Sequence, residues 1–308
     1  MSPLRPAAKA ASNLVFRAAE RAGIHVAPAH YYSSTPDRRW LRANEAAWRK
    51  AASLASLGWD IDAQVDWLRD VVGHYPGEVP IAQVIQRAER VGGFRYGPIE
   101  AQVLHSWVRT KTPPRVFEIG SGSSTQITSA AVSRNVAEGR PCSEIIAVDP
   151  YMDPRVGDLP HVTVRRVGGL DLTSEDLDLG PGDLLFIDST HAVKTGSELP
   201  HLYLELLPRL APGVTVHIHD IYLPYLFSPT IYESQFDWQE TTLVAALLTN
   251  NPRLAVRAAL SALHHDRPEA LGRILPEYRP APMDRGIGSI TEGRHFPSSL
   301  WLETVPRT

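Results

Sequence analysis

Five short apolar runs between Val116 and Ile218 constrain the fold more than any other feature of the chain. They are VFEI (116–119), IIAV (145–148), VTVRRV (162–167), DLLFI (183–187) and VTVHI (214–218), and helix-length segments separate them. Strands spaced so far apart build βαβ units rather than hairpins, and these give a parallel sheet with helices on both faces. Ser123 to Ala137 reads as the helix after the first run, and Gly196 to Leu210 as the helix after the fourth. Leu243 to Thr249 reads as a further helix ahead of two final apolar runs. These are LAVRAAL (254–260), for which strand and helix both remain open, and SLWLETV (299–305). The stretch from Asp266 to Pro297, rich in Pro, Gly and Arg, reads as a long loop.

Residues 1–95 have a different texture and are expected to form an N-terminal helical segment ahead of a main domain at 96–308. Asn13 to Ala22 and Arg39 to Leu57 carry apolar residues at helical spacing, and Ile61 to Val72 reads as an amphipathic helix. Prolines and serines in HVAPAHYYSSTPDRRW, His25 to Trp40, interrupt any helix there. Pro76-Gly77 and Gly92-Gly93 mark turns, and Ile99 to Val108 reads as the helix leading into the main domain.

Within the main domain, the glycines of RVFEIGSGSST (115–125) place bare backbone beside a helix N-terminus, where a ligand can come close. A dinucleotide loop would want a third glycine three residues past Gly122, where Thr125 stands. Glu118 would repel a pyrophosphate but suit a cationic, amino-bearing ligand. Asp149, at the end of IIAVDPY, is placed to accept the hydroxyls of a ribose. Together these features favour a nucleoside carrying an amino acid, and S-adenosylmethionine, with its sulfonium, ammonium group and ribose diol, is such a ligand.

The fourth and fifth runs end in DLLFIDSTH and VTVHIHD, at the strand ends where open α/β sheets build their sites. His217 and His219 share a face by strand alternation, and Asp188 is expected near Asp220. Two chemistries fit these residues. His219 or His191 could act as general base on an acceptor, or Asp188, His219 and Asp220 could hold a divalent cation that acidifies the acceptor.

FEIGSGSST, IIAVDPY, LLFIDSTH and VHIHDIYLPY, in this order and spacing, resemble the class I S-adenosylmethionine-dependent methyltransferases. More narrowly they resemble the bacterial branch with Ile-Asp-Ser-x-His and His-x-His-Asp-Ile strand ends. HYYSSTPD and QETTLVAALL resemble that branch as well, so the likeness runs from about Gly23 to Leu248 and again at the last strand. It implies a doubly wound, mostly parallel, seven-stranded Rossmann-like sheet with an N-terminal helical appendage. It further implies that Glu118, Gly120, Ser121 and Gly122 line the methionine part, that Asp149 binds the ribose and that Leu170 and Asp171 flank the adenine. By the same likeness Asp188 sits under the sulfonium. Metal-dependent O-methyltransferases of this fold keep carboxylates where Asp188 and Asp220 fall. They follow the second acid with Asp or Asn, whereas Ile221 follows here.

The expected reaction is methyl transfer to a small-molecule acceptor, with the proton removed by a histidine or with the help of a divalent metal. Tyr31 and Tyr32 are expected to help cover the cofactor or acceptor, and Tyr222 to face the acceptor. The rival readings are a nicotinamide oxidoreductase, a nucleoside-binding module without catalysis, and a metal-dependent enzyme of another reaction class. A formal charge of -3, no basic tract and no Asn-Pro-Pro-Tyr strand end argue against a nucleic-acid partner. The single cysteine, Cys142, rules out a disulfide framework and fits a reducing compartment. No run approaches a membrane span of about 20 apolar residues, and the start lacks the apolar core of a signal peptide. A cytoplasmic protein, with a homodimer as the expected assembly, is the resulting expectation.

Overall fold

The computed structural model describes residues 6–26, 30–57, 59–75, 77–90, 96–234, 236–284, 287–288 and 293–306. The chain divides after Arg49 into two compact units. In the first unit a helix spans Pro6–Arg21, and two short helices, Arg38–Ala43 and Glu45–Trp48, follow. Asp37, at the end of HYYSSTPD, caps the first of these by accepting from Arg39 N at 2.9 Å and Trp40 N at 3.4 Å. The helix expected from Arg39 to Leu57 is therefore broken. It kinks at Asn44, and only a single 3-10 turn, Ala55–Leu57, forms near its end.

The second unit holds the seven strands: β1 (Arg115–Ile119), β2 (Glu144–Val148), β3 (Val162–Arg165), β4 (Leu184–Ile187), β5 (Thr215–Ile218), β6 (Leu254–Ala259) and β7 (Leu300–Thr304). They lie in the order β3-β2-β1-β4-β5-β7-β6, with β7 antiparallel to both of its neighbours and the others parallel. LAVRAAL thus resolves as a strand.

Alternation along the strands feeds two separate cores, one on each face of the sheet. Phe117, Ile119, Leu185, Ile187, Val216, Ile218, Leu300 and Leu302 point to one face and pack with Leu199, Leu202, Tyr203 and Leu206. Val116, Leu184, Phe186 and Trp301 point to the other and pack with Leu68, Ile99, Leu104 and Ile127. The helices supplying that second layer are Ile61–Val72, Pro98–Lys111 and Ser123–Ala137, joined by Ile81–Arg90, which the sequence analysis had not assigned.

Local chemistry sets the helix boundaries. Ser123–Ala137 opens at Gly122, whose N–H donates to Thr125 Oγ1 at 3.0 Å. Thr125, standing where a dinucleotide loop would want glycine, is therefore a capping residue. Pro98–Lys111 starts with proline at its first position and stops at Thr112, left-handed at φ 44°, ahead of Pro113. The helix expected over Gly196–Leu210 is irregular. It runs α over Glu198–His201, π over Leu202–Leu206 and 3-10 over Leu207–Arg209, the last turn carrying Pro208, which has no N–H to donate. The helix expected from Leu243 begins three residues earlier, at Glu240.

The long loop expected between Asp266 and Pro297 contains a helix, Pro268–Ile274, again with proline at its start, and a two-residue ribbon pairing 283–284 with 287–288. Pro76, Gly92 and Gly93 lie outside the described residues; Gly77 takes φ 70°, as a turn there requires. Among the described residues no helix is long and apolar enough to cross a membrane.

Candidate active site

Strand register brings the site together. Ile119 pairs with Ile187, and Ile187 with Ile218, so Gly120, Asp188 and His219 are the residues just beyond three adjacent strand ends. Asp188 N bonds to Ile119 O at 2.8 Å and His219 N to Ile187 O at 3.0 Å, which continues the ladder through these positions.

Gly120 turns with φ 90°, and a Cβ built there would lie 1.7 Å from the Asp188 carbonyl oxygen. Its lack of a side chain is demanded by the close passage of the β4 end. Gly122 is different: nothing lies within 4 Å of the corresponding point, so its bare side looks into open space. Ser121 N and Ser121 Oγ both donate to Asp149 Oδ2 at 3.2 Å, and Tyr151 N donates to Asp149 Oδ1 at 2.7 Å. Asp149 thereby braces the glycine loop against the end of β2. Leu170 is half exposed in the single turn Gly169–Asp171, where Asp171 Oδ2 accepts from Gly168 N at 3.0 Å.

Glu118 is buried in β1. Ser124 Oγ donates to its Oε1 at 2.5 Å, while Oε2 has no hydrogen-bond partner among the described residues. Burial pushes its carboxyl up to about 8, although Ser124 and Thr125 pull the other way. An orphaned buried oxygen calls for a hydrogen-bonding or cationic group to complete it. This oxygen, the open side of Gly122 and the ribose-type acceptor Asp149 fit the ammonium, backbone and diol of S-adenosylmethionine.

At the next strand ends, two imidazoles meet two carboxylates. Asp188 Oδ1 lies 3.2 Å from His191 Nε2 and 3.4 Å from His219 Nδ1, and Asp220 Oδ2 lies 3.8 Å from each of the same nitrogens. The His219 Nδ1 contact lacks hydrogen-bond geometry and is an ion pair. His191 (φ 56°) and Asp220 (φ 55°) are both left-handed, a conformation uncommon for residues with a Cβ and one found at functional sites. Ser298 Oγ donates to Asp220 Oδ1 at 2.8 Å, and Ser298 N donates to Glu100 Oε1 at 2.8 Å, tying the strap before β7 to the cluster.

Charge follows from these contacts. Burial opposes the ionised form of Asp188, yet His219 and His191 override it and hold its carboxyl well below the usual range. For His219 burial likewise acts against the charge, but Asp220 and Asp188 outweigh it and lift the imidazole to about 9. His191 is lifted further, to about 11, against burial, by Asp188 and Glu240.

His217 is apart from this chemistry. It is fully buried, its Nε2 faces Tyr96 Oη at 3.1 Å, and its ring stacks on Phe186 at 4.5 Å and lies 4.3 Å from Trp301. Burial holds it well below the normal imidazole range, so it is a neutral core histidine. Tyr96 touches both histidine rings, at 6.1 Å for His217 and 4.7 Å for His219, as expected of one sheet face.

Tyr222 is buried near Asp220. Its ring stacks on Phe296 at 6.1 Å, and its N–H donates to Thr241 Oγ1 at 3.2 Å. Burial and the Asp220 charge push its hydroxyl well above 10. Tyr31 and Tyr32 belong to the first unit, where they are exposed and stack on each other and on His30.

Sequence reasoning missed Glu240 and Tyr203. Glu240 opens the helix Glu240–Leu248, is buried, and stands 2.6 Å from His191 Nδ1 through Oε2. Tyr203 Oη donates to its Oε1 at 2.5 Å. Glu240 lies within QETTLVAALL, which the sequence analysis singled out only as a family-like motif, and ahead of the helix expected from Leu243, so no role was assigned to it.

Among the described residues no group of three or more His, Cys, Asp or Glu side chains is placed to hold a metal ion. Asp188, His219 and Asp220 are instead engaged with one another and with His191 and Ser298.

Residues 117–221 match a family described as a methyltransferase domain. Among solved structures the chain is similar to the O-methyltransferase TomG from Streptomyces achromogenes (13% identity, 73% of this chain and 89% of that chain, TM-score 0.44). It is also similar to an O-methyltransferase from Bacillus cereus (15%, 79% and 97%, TM-score 0.44) and to the Podospora anserina methyltransferase PaMTH1 (17%, 73% and 92%, TM-score 0.37). No curated protein matches the sequence. The matched residues, about a third of the chain, span the glycine loop, the Asp149 turn and both acidic strand ends, on the seven-stranded, mostly parallel sheet expected for them.

Proposed function

We propose that this protein transfers a methyl group to a hydroxyl of a small-molecule acceptor, with His219 receiving the hydroxyl proton. The observation that carries the reading is the cluster of buried His219 and His191 with half-buried Asp188 and Asp220, which starts one residue beyond the strand ends that also position the glycine loop. S-adenosylmethionine supplies an electrophilic methyl on a positive sulfonium. Glu118 receives its ammonium, Asp149 its ribose hydroxyls, and Leu170 and Asp171 flank its base. Asp188 faces the positive sulfur. His219, in its neutral form, takes the proton while the acceptor oxygen bonds to the methyl carbon, and the C–S electron pair stays on sulfur. The protein contributes alignment, exclusion of water and a place for the proton.

A panel of small phenols, alcohols, carboxylic acids and amines, assayed for S-adenosylhomocysteine release, tests this directly. The reading predicts turnover of hydroxyl compounds that survives EDTA. Loss of turnover on EDTA with recovery on added metal would favour the metal-assisted route through Asp188, His219 and Asp220. Turnover of amines alone would contradict the hydroxyl.

The pH dependence has a definite sign. A base must be neutral to accept a proton, so kcat/KM should rise with pH and level off above about 9, where His219 loses its charge. An ordinary histidine would give that limb near 6.5. Glu118 binds a cation better as the anion, so kcat/KM for the cofactor should gain a second limb near 8, which Glu118→Gln should abolish while the limb near 9 stays.

The expectation that Tyr31 and Tyr32 help cover the cofactor or acceptor has its own test. Because both rings are exposed, the pair Tyr31→Phe and Tyr32→Leu is expected to lower turnover or raise KM with Tm unchanged. A lower Tm with unchanged kinetics would leave them a packing role only.

A further inference from the structure

We infer that Glu240, backed by Tyr203, is a positioning residue of this site. Its carboxylate fixes the His191 ring so that Nε2 faces Asp188 and Asp220, which leaves His219, of the two imidazoles in this cluster, to exchange a proton with the acceptor. The inference rests on the methyl-transfer reading for its kinetic consequence, but not for its structural one.

The contacts form a chain from the sheet's covering layer to the reacting centre. Tyr203 Oη donates to Glu240 Oε1 at 2.5 Å, and Glu240 Oε2 lies 2.6 Å from His191 Nδ1. Beyond the ring, Nε2 lies 3.2 Å from Asp188 Oδ1 and 3.8 Å from Asp220 Oδ2. A carboxylate only accepts, so Nδ1 carries a hydrogen, and that bond sets which way Nε2 points. A backbone bond repeats the connection, Gln239 N to His191 O at 3.1 Å, and Trp238 lies 4.7 Å from the same ring. Glu240, Tyr203 and His191 are all buried, so water does not compete for these bonds. His191 holds φ 56°, and it needs these neighbours to stay there. With both ring nitrogens engaged on carboxylates, His191 is a fixed donor that holds Asp188 and Asp220 in place. It is not the base.

The test combines NMR of histidine ring protons with kinetics on the panel member turned over fastest. Wild type should show a far-downfield imidazole N–H resonance, assigned to His191 by its absence from His191→Gln. Glu240→Leu should lose that resonance and lower kcat by about 10²-fold, as expected for a misplaced group, with KM for S-adenosylmethionine little changed. Glu240→Gln keeps a carbonyl to accept Nδ1–H and should recover most of kcat. Should Glu240→Leu fail to fold, Tyr203→Phe takes its place, with a shifted resonance and a lower kcat at unchanged KM. Absence of the resonance from wild type, equal kcat losses in the Gln and Leu variants, or a wild-type kcat in Glu240→Leu would overturn the inference. If no panel member is turned over, the methyl-transfer reading fails, while the resonance still decides the His191–Glu240 contact.

Discussion

Replacing His219 by alanine is expected to lower kcat by roughly 10²–10⁴ while leaving S-adenosylhomocysteine affinity nearly unchanged. The expectation follows from how His219 is held. Its ring is buried between Tyr96 and the two carboxylates, and Asp220 and Asp188 raise its basicity to about 9. That value approaches the range of a phenolic hydroxyl, about 10, so transfer from such an acceptor is nearly balanced. Removing the ring leaves His191 beside Asp188, so the cofactor-binding loop keeps its neighbours. Calorimetry with S-adenosylhomocysteine beside turnover on the best panel acceptor separates the roles. A large drop in affinity with kcat spared would make His219 a binding residue, and full activity would remove it from the chemistry.

Two glycine substitutions should part company just as sharply. Gly120→Ala is expected to destabilise the protein by about 2–5 kcal/mol. The sum combines about 1–2 kcal/mol for a side chain at positive φ with about 1–3 kcal/mol for moving backbone away from the new Cβ. The obstacle is the Asp188 carbonyl at 1.7 Å, a main-chain atom that cannot rotate aside. A fall in Tm of roughly 5–15 °C should report this. Gly122→Ala meets open space at an extended φ of 161°, so the fold should tolerate it. A methyl group there crowds whatever approaches the loop, and cofactor affinity should fall by about 10–100-fold. Thermal melts and calorimetry on both variants check the pair. Equal Tm losses would mean that the loop serves packing alone.

Much of this architecture was legible in the sequence because its signals are local and repeated. The apolar runs at 116–119, 145–148 and 214–218 became strands, and Ile61–Val72 and Ser123–Ala137 formed helices over the expected residues. Asp188 was expected near Asp220 from their places at neighbouring strand ends, and both carboxylates face His191 Nε2, at 3.2 and 3.8 Å. What stayed hidden depended on partners distant in sequence. The His191–Glu240 contact spans 49 residues and the Ser298–Asp220 contact 78, and neither leaves a periodic trace. The breaks at Asn44 and Leu202 went unseen because apolar spacing continues through them, whereas backbone geometry does not. Gly120 was legible in part. The pattern marked a bare loop, and the structure adds that its missing side chain makes room for Asp188.

The central claim is that the loop between β1 and its following helix, flanked by Glu118 and Asp149, receives a sulfonium nucleoside. Calorimetric titration of the intact protein with S-adenosylmethionine, S-adenosylhomocysteine and NADH addresses it most directly. Saturable heats at one site per chain with the first two, and none with NADH, are predicted. Tight binding of NADH with no heat from either adenosyl compound would contradict the account.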